Sequence, residues 1–287
     1  MVKLLFSFFL FFSITISLSA ENLDDFEKVK QKEILFSKIK SFISDDTYLR
    51  NRKFIEIIFS PTSDFYNKQT VDVVKVIQTL KENGLLKLFL NKAEELNLHF
   101  KTFGPPLFFV KLMSDTLRNV GYYRYVTTAS NFNGLEFVWS VSLKSEYATD
   151  PLILQKELAK VGCKIVDIKR ISPTEWSYVV DMIDGFLNIP VLTTTQKYKL
   201  KRSLYAHWVN VSQIKKLVIS SSRRNNWYPY ISYYDSSLKL IKVIKRDKRI
   251  KKISLHIPKF TKYIKISDIY TLKNLKDDLT LFSQTQR

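Results

Sequence analysis

The sequence predicts an α+β protein: tandem βαβ modules of ferredoxin-like arrangement, followed by an all-β domain of sandwich or jelly-roll type. Three observations predict it. A leucine–glycine spacing recurs three times within residues 51–185. From residue 208 onward, short strand-like runs replace any helical period. Composition and charge change together near residue 185.

The first twenty residues, MVKLLFSFFLFFSITISLSA, place Lys3 ahead of an apolar and hydroxyl run from Leu4 to Ile16. Small residues at Ser17, Ser19 and Ala20 then precede the polar ENLDD. That is the pattern of a secretory signal peptide. A retained anchor is the competing reading, but the run is shorter than the ~20 residues that a span requires. No later segment is long and apolar enough to cross a membrane, so the expectation is a periplasmic chain without a transmembrane span after cleavage. Residues 21–50 read as one helix, with Phe26, Val29, Leu35, Ile39 and Phe42 along one stripe.

Residues 51–185 align on Gly84, Gly121 and Gly162. A leucine stands four positions before each glycine (Leu80, Leu117, Leu158), and an apolar residue eight before (Val76, Met113, Leu154). A period of four over two turns is one helix face, and glycine just past the last turn is a left-handed stop. Strand-like runs flank each helix: KFIEIIFS and LLKLFL, LNLHFKTF and YYRYV, LEFVWSVSL and CKIVDI. Pro105, Pro106 and Pro151 mark helix starts, with Asp150 as a cap. WSYVVDMI closes the series. The expectation is strand–helix–strand three times, two such units making a ferredoxin-like sheet.

Residues 186–287 read as a basic β-domain. KLVISS, YPYISYY, LKLIKVIK, KKISLHI, KYIKIS and LTLF are separated by SRRNN, DSS and KNLKDD. The stretch SRRNNWYPYISYY is dense in arginine and aromatic rings. Strand parity divides it. Pro229, Ile231 and Tyr233, beneath Trp227, fall on the core side. Tyr228, Tyr230, Ser232 and Tyr234 fall on the other, next to Arg223 and Arg224. Aromatic faces stack on sugar rings and arginine pairs with carboxylate or phosphate, so Arg223, Arg224, Trp227, Tyr228, Tyr230 and Tyr234 are the candidate ligand-binding residues. The alternative is that these tyrosines line an inter-sheet core.

The formal charge of +19 is unevenly placed. Residues 1–185 hold 24 Lys/Arg against 22 Asp/Glu, and residues 186–287 hold 22 against 5. A bias toward lysine throughout the chain would not leave the first part balanced, so the asymmetry points to an anionic partner for one part only. Some of the lysines sit on strands where they block edge pairing. All six glycines lie at or before Gly185, which excludes a glycine-rich phosphate loop beyond it. Metalloprotease, nucleophile-elbow, Walker and paired-cysteine motifs are missing, and the expectation is a non-enzyme without catalytic residues, metal or cofactor. His99 and His256 fall inside apolar strands and read as packed. The lone Cys163 excludes an intrachain disulfide and reads as a small buried hydrophobe.

LRNVGYYRYVTTAS, EFVWSVSL and DPLILQKELAKVGCKIVDIKR resemble uncharacterised periplasmic proteins of Campylobacter-type bacteria. The resemblance runs from about residue 50 to the end of the sequence. It implies a periplasmic home and assigns no functional residue. Two functions stay open at this level. One is a binding protein whose basic, tyrosine-rich β-domain contacts an anionic envelope polymer such as peptidoglycan. The other is a scaffold subunit of a large periplasmic assembly, a flagellar motor or secretion apparatus, docking an acidic protein. A hydrolase of envelope polymers is the weaker third reading. Export removes nucleic acid as a partner.

Overall fold

The computed structural model describes residues 26–195 and 197–284. The expected signal segment lies outside them. The chain is mixed α+β and divides into two compact units, residues 26–103 with 115–184, and residues 104–114 with 185–284.

The first unit opens with α1 (residues 26–40), α2 (Asp45–Arg50) and α3 (Arg52–Ile58). The helix expected over residues 21–50 is therefore broken at Ser44, whose hydroxyl accepts the Thr47 N–H at 3.2 Å and starts α2. A second correction concerns KFIEIIFS, which is helical and not a strand. Ile55 and Phe59, four apart, are both fully buried while Ile57 is exposed, so the helical period wins over alternation. A short hairpin, β1 (Tyr66–Asn67) and β2 (Thr70–Val71), leads to α4 (Val73–Glu82), capped by the Asp72 carboxylate on the Lys75 N–H.

Next come β3 (Phe89–Thr102), α5 (Pro106–Asn119), β4 (Val126–Phe132), β5 (Phe137–Tyr147), α6 (Pro151–Ala159), β6 (Lys164–Ser172) and β7 (Glu175–Asp181). The sheet order is β4-β5-β3-β7-β6, with β3 and β7 parallel and the other pairs antiparallel. The last two residues of LLKLFL, Phe89 and Leu90, and nearly all of LNLHFKTF, expected as strands of separate modules, meet in the single strand β3, while residues 85–88 are not strand. The NKAEE between them holds no glycine or proline, and the chain absorbs the irregularity as a register shift between Phe89 and Glu94.

The three glycine stops form as the spacing predicts. Gly84, Gly121 and Gly162 have φ of +71°, +103° and +73°. The residue after each donates its N–H to the carbonyl of the repeated leucine: Leu85 to Leu80 at 2.8 Å, Tyr122 to Leu117 at 2.8 Å, Cys163 to Leu158 at 3.0 Å. Those three leucines are fully buried. Asp150 caps α6 through the Leu152 N–H.

Alternation gives the sheet one apolar face. Leu96 pairs with Leu143, Leu98 with Val141 and Trp176, and Phe100 with Trp139 and Tyr178, and all are buried. Phe42, Trp176, Tyr178, Phe100 and Trp139 form a continuous row of rings with neighbouring centroids 5.5–6.4 Å apart.

The described residues of the second unit form eight strands: β8 (Lys197–Leu200), β9 (His207–Asn210), β10 (Lys216–Ser221), β11 (Pro229–Tyr234), β12 (Leu240–Lys245), β13 (Lys252–His256), β14 (Tyr263–Asp268) and β15 (Leu279–Gln284). They make two antiparallel sheets, β13-β10-β15-β8 and β12-β11-β14-β9. One apolar core joins them, with Leu217, Ile219 and Leu281 from one sheet and Ile231, Tyr233, Ile264 and Ile266 from the other. Among the described residues no helix is long and apolar enough to cross a membrane.

Candidate functional site

The stretch from Ser222 to Tyr234 divides by strand parity. Trp227, Ile231 and Tyr233 are fully buried in the core of the second unit. The Trp227 indole N–H donates to the Ser267 carbonyl at 2.9 Å. Trp227 is therefore removed from the candidate ligand contacts, because its ring is packed and its one polar atom is bonded. Tyr228, Tyr230 and Tyr234 are half-buried on the opposite side.

The ladder shows what shares that outward face. Tyr230 pairs with Lys245 on β12 and Ser267 on β14, Ser232 with Lys265, and Tyr234 with Tyr263. Lys265 in turn pairs with Trp208 on β9. Trp208 and Tyr234 sit with ring centroids 5.1 Å apart. The Lys265 ammonium is 5.7 Å from the Trp208 ring and the Lys245 ammonium 5.2 Å from the Tyr230 ring. Residues 104–114, part of the same unit, cover one region of the face: Phe108 lies against Tyr263, and Lys111 stands 5.4 Å over Trp208. The result is a row of half-exposed rings, Tyr230, Tyr234 and Trp208, set among lysines.

Trp208, Lys245 and Lys265 are not in the candidate set that SRRNNWYPYISYY supplies. The alternation in KYIKIS, with Ile264 and Ile266 inward and Lys265 outward, is the signal that finds Lys265. Trp208 needs the pairing of β9 with β14, which lies 55 residues away along the chain between partners such as Val209 and Ile264.

Arg223 and Arg224 are exposed but belong to a different constellation. Arg224 pairs with Asp277 at 3.2 Å. Arg249 donates to the Arg223 carbonyl at 2.9 Å. The Lys251 ammonium donates to the carbonyls of Ser222, Arg223 and Asn225 at 3.2, 2.8 and 3.2 Å. Lost hydration, then the Arg249 and Arg223 charges, hold that ammonium below the usual lysine range. Tyr228 turns toward Tyr270 in an edge-to-face pair 5.1 Å apart.

Four of the five acidic residues of this unit accept hydrogen bonds at turns and strand ends. Asp235 accepts the N–H groups of Ser237 and Lys239. Asp268 accepts those of Tyr228, Tyr270 and Thr271. Asp277 takes the Ser222 hydroxyl, and Asp278 the Arg202 N–H. His207, on β9, is kept below the ordinary histidine range by burial, with Asp278 acting in the other direction. His256 is exposed, which corrects its reading as a packed residue.

In the first unit His99 also departs from that reading. β3 alternates, so Leu98 and Phe100 face the core and His99 faces away. Its Nδ1 lies 2.8 Å from the Ser140 hydroxyl and its Nε2 3.1 Å from Glu175. This chain ties β5, β3 and β7 across the polar face of the sheet. Cys163 is buried, and burial followed by the Asp181 charge pushes its thiol up to about 11. Among the described residues no group of His, Cys, Asp and Glu is arranged to hold a metal ion. In comparisons with known proteins, no family model and no curated protein matches the chain.

Proposed function

We propose that this is an exported, non-enzymatic binding protein of the periplasm whose second unit contacts an anionic, sugar-bearing envelope polymer such as peptidoglycan. The observation that carries the reading is the outward row Tyr230, Tyr234 and Trp208 with Lys245 and Lys265 beside the rings. Aromatic faces complement the apolar faces of sugar rings, and ammonium groups at their margins complement carboxylates. The excess of 22 Lys/Arg over 5 Asp/Glu beyond residue 185 adds a long-range attraction for the same class of ligand. The turn-forming roles of Asp235, Asp268, Asp277 and Asp278 favour binding over acid–base chemistry.

The finer fold reading belongs with this proposal. In the second unit the first strand pairs with the eighth and the third with the sixth, while the second pairs with the seventh and the fourth with the fifth. That order supports a jelly roll, an architecture shared by lectin domains. In the first unit, the chain order β3-α5-β4-β5-α6-β6, with β7 between β3 and β6 in the sheet, supports a ferredoxin-like arrangement.

The test is cosedimentation of the mature protein with purified sacculi. Binding that falls with added salt, and falls further for Tyr230→Ser with Lys265→Glu, is expected. Absent or salt-independent binding overturns the proposal.

A further inference from the structure

A cavity of ≈ 930 Å³ lies in the first unit, lined by α1, the β1–β2 hairpin and β6. Among the described residues β6 is an edge strand, paired with β7 alone. Its register shifts twice, between Ile165 and Asp167 and between Arg170 and Ser172. The two residues left out of register are Val166 and Ile171. A bulge re-aims the extra side chain and bends the strand, which disfavours adding another strand here. Both bulged side chains line the cavity, and they are 42% and 57% exposed. Ile34 of α1, 47% exposed, and Val71 of β2 complete an aliphatic lining.

The charged groups of the lining are unequal. Lys38 and Asp167 pair with each other. That leaves Lys169 and Arg170 against Glu33. Arg170 is unusual in its surroundings. It emerges from the apolar face of the sheet, paired in register with Trp176, with its guanidinium 5.5 Å from the Trp176 ring. Among the described residues it donates one hydrogen bond, to the Phe42 carbonyl, and its buried Nε meets no partner. No carboxylate among the described residues forms an ion pair with it. A partly buried arginine without an acid partner is costly unless an anion completes it. Burial lowers the affinity of the group for its proton, in line with a guanidinium short of compensation.

We propose that this cavity binds a small amphiphile bearing one oxyanion head, a carboxylate or a phosphate, with the head at Arg170 and Lys169 and the aliphatic body on Ile34, Val71, Val166 and Ile171. The volume falls within the range of small-molecule sites, and arginine is the side chain suited to planar oxyanions. This site is independent of the aromatic face of the second unit.

Titration calorimetry on the full mature chain tests it, using decanoate and decyl phosphate below their micelle-forming concentrations. At least one of the two should bind, with decanol and acetate weaker by about 10-fold or more, as loss of either the charged contact or the apolar contact implies. The tighter of the two heads identifies the source of the anion. Arg170→Met and Val166→Asp should each weaken binding by about 10-fold or more, and Lys259→Met should not. Val166 is exposed, so its substitution stays informative if Arg170→Met disturbs folding. Equal affinity for decanol and decanoate, or full affinity in Val166→Asp, overturns the proposal.

Discussion

Trp208 and Tyr234 lie ring to ring, 5.1 Å between centroids, although β9 and β11 are not neighbours and β14 runs between them. The other three tryptophans, Trp139, Trp176 and Trp227, are buried. Trp208 is the one tryptophan that solvent and ligands can reach. Acrylamide should therefore quench only a fraction of the fluorescence of the folded protein. Trp208→Phe should remove that fraction and leave the blue-shifted remainder. Addition of soluble peptidoglycan fragments should protect the same fraction. Quenching that persists in Trp208→Phe would contradict this assignment.

How much of this was legible in the sequence depends on the range of the interaction. The helix stops were legible because a glycine, its leucine four back and the N–H that closes the turn lie within six residues. The division of Trp227, Ile231 and Tyr233 from Tyr230 and Tyr234 was legible because alternation is local. KFIEIIFS was misread because five apolar residues in six fit either period, and burial against the rest of the unit decided for helix. Trp208 and Lys265 were missed as neighbours of the tyrosines because sheet order, a long-range property, brings them together. Arg223 and Arg224 lie next to the tyrosines in sequence, but the reversal at Asn225 and Asn226 ties their loop to Asp277, Arg249 and Lys251.

Gly84 offers a clean measure of the helix stop. Its φ is +71°, and a Cβ built there meets nothing within 4 Å. The cost of Gly84→Ala is then the left-handed conformation alone, about 1–2 kcal/mol. Gly84→Asn should cost less, because asparagine tolerates that region. Urea unfolding curves read both values through a shifted midpoint at constant slope. A neutral Gly84→Ala would mean that the turn is not under conformational strain.

Alkaline pH should destabilise the protein in a defined direction. Burial pushes Tyr233 up to about 12, and Tyr178 well above the ordinary tyrosine value, with smaller contributions from Tyr122 and Asp150. Burial and Asp181 hold Cys163 at about 11. Below the unfolded values, about 8.5 for cysteine and about 10 for tyrosine, both states keep these protons and nothing changes. Above them the unfolded chain releases its protons first, so stability falls as pH rises through the folded values. The Tm should be flat from neutral to weakly alkaline pH and then drop steeply, with phenolate absorbance rising only as the protein unfolds. Because the Tyr233 hydroxyl is buried without a partner, Tyr233→Phe should be neutral or stabilising and should soften that drop.

Asp268 is the group on which the ends of β11 and β14 converge. It is buried, its Oδ2 accepts the Tyr228 N–H at 2.8 Å, and its Oδ1 accepts from Tyr270, Thr271 and the Asn274 amide at 2.9, 3.0 and 3.0 Å. Four donors on one carboxylate fix the approach to β11 and the short helical turn Leu272–Asn274 together. Asp268→Asn keeps the shape but turns one acceptor into a donor, leaving at least one buried N–H opposed. The expected loss is about 1–3 kcal/mol, and Asp268→Ala should lose more because every donor is orphaned. Hydrogen exchange should report faster opening at Tyr228, Tyr270 and Thr271 in Asp268→Asn, while amides of the first unit, such as those of β3, keep their protection. If Tyr228 and Tyr230 owe their positions to this carboxylate, Asp268→Asn should also weaken sacculus binding without changing any ring or lysine of the face. Unchanged binding beside faster exchange would show that the outward row is held by β11 and its ladder alone.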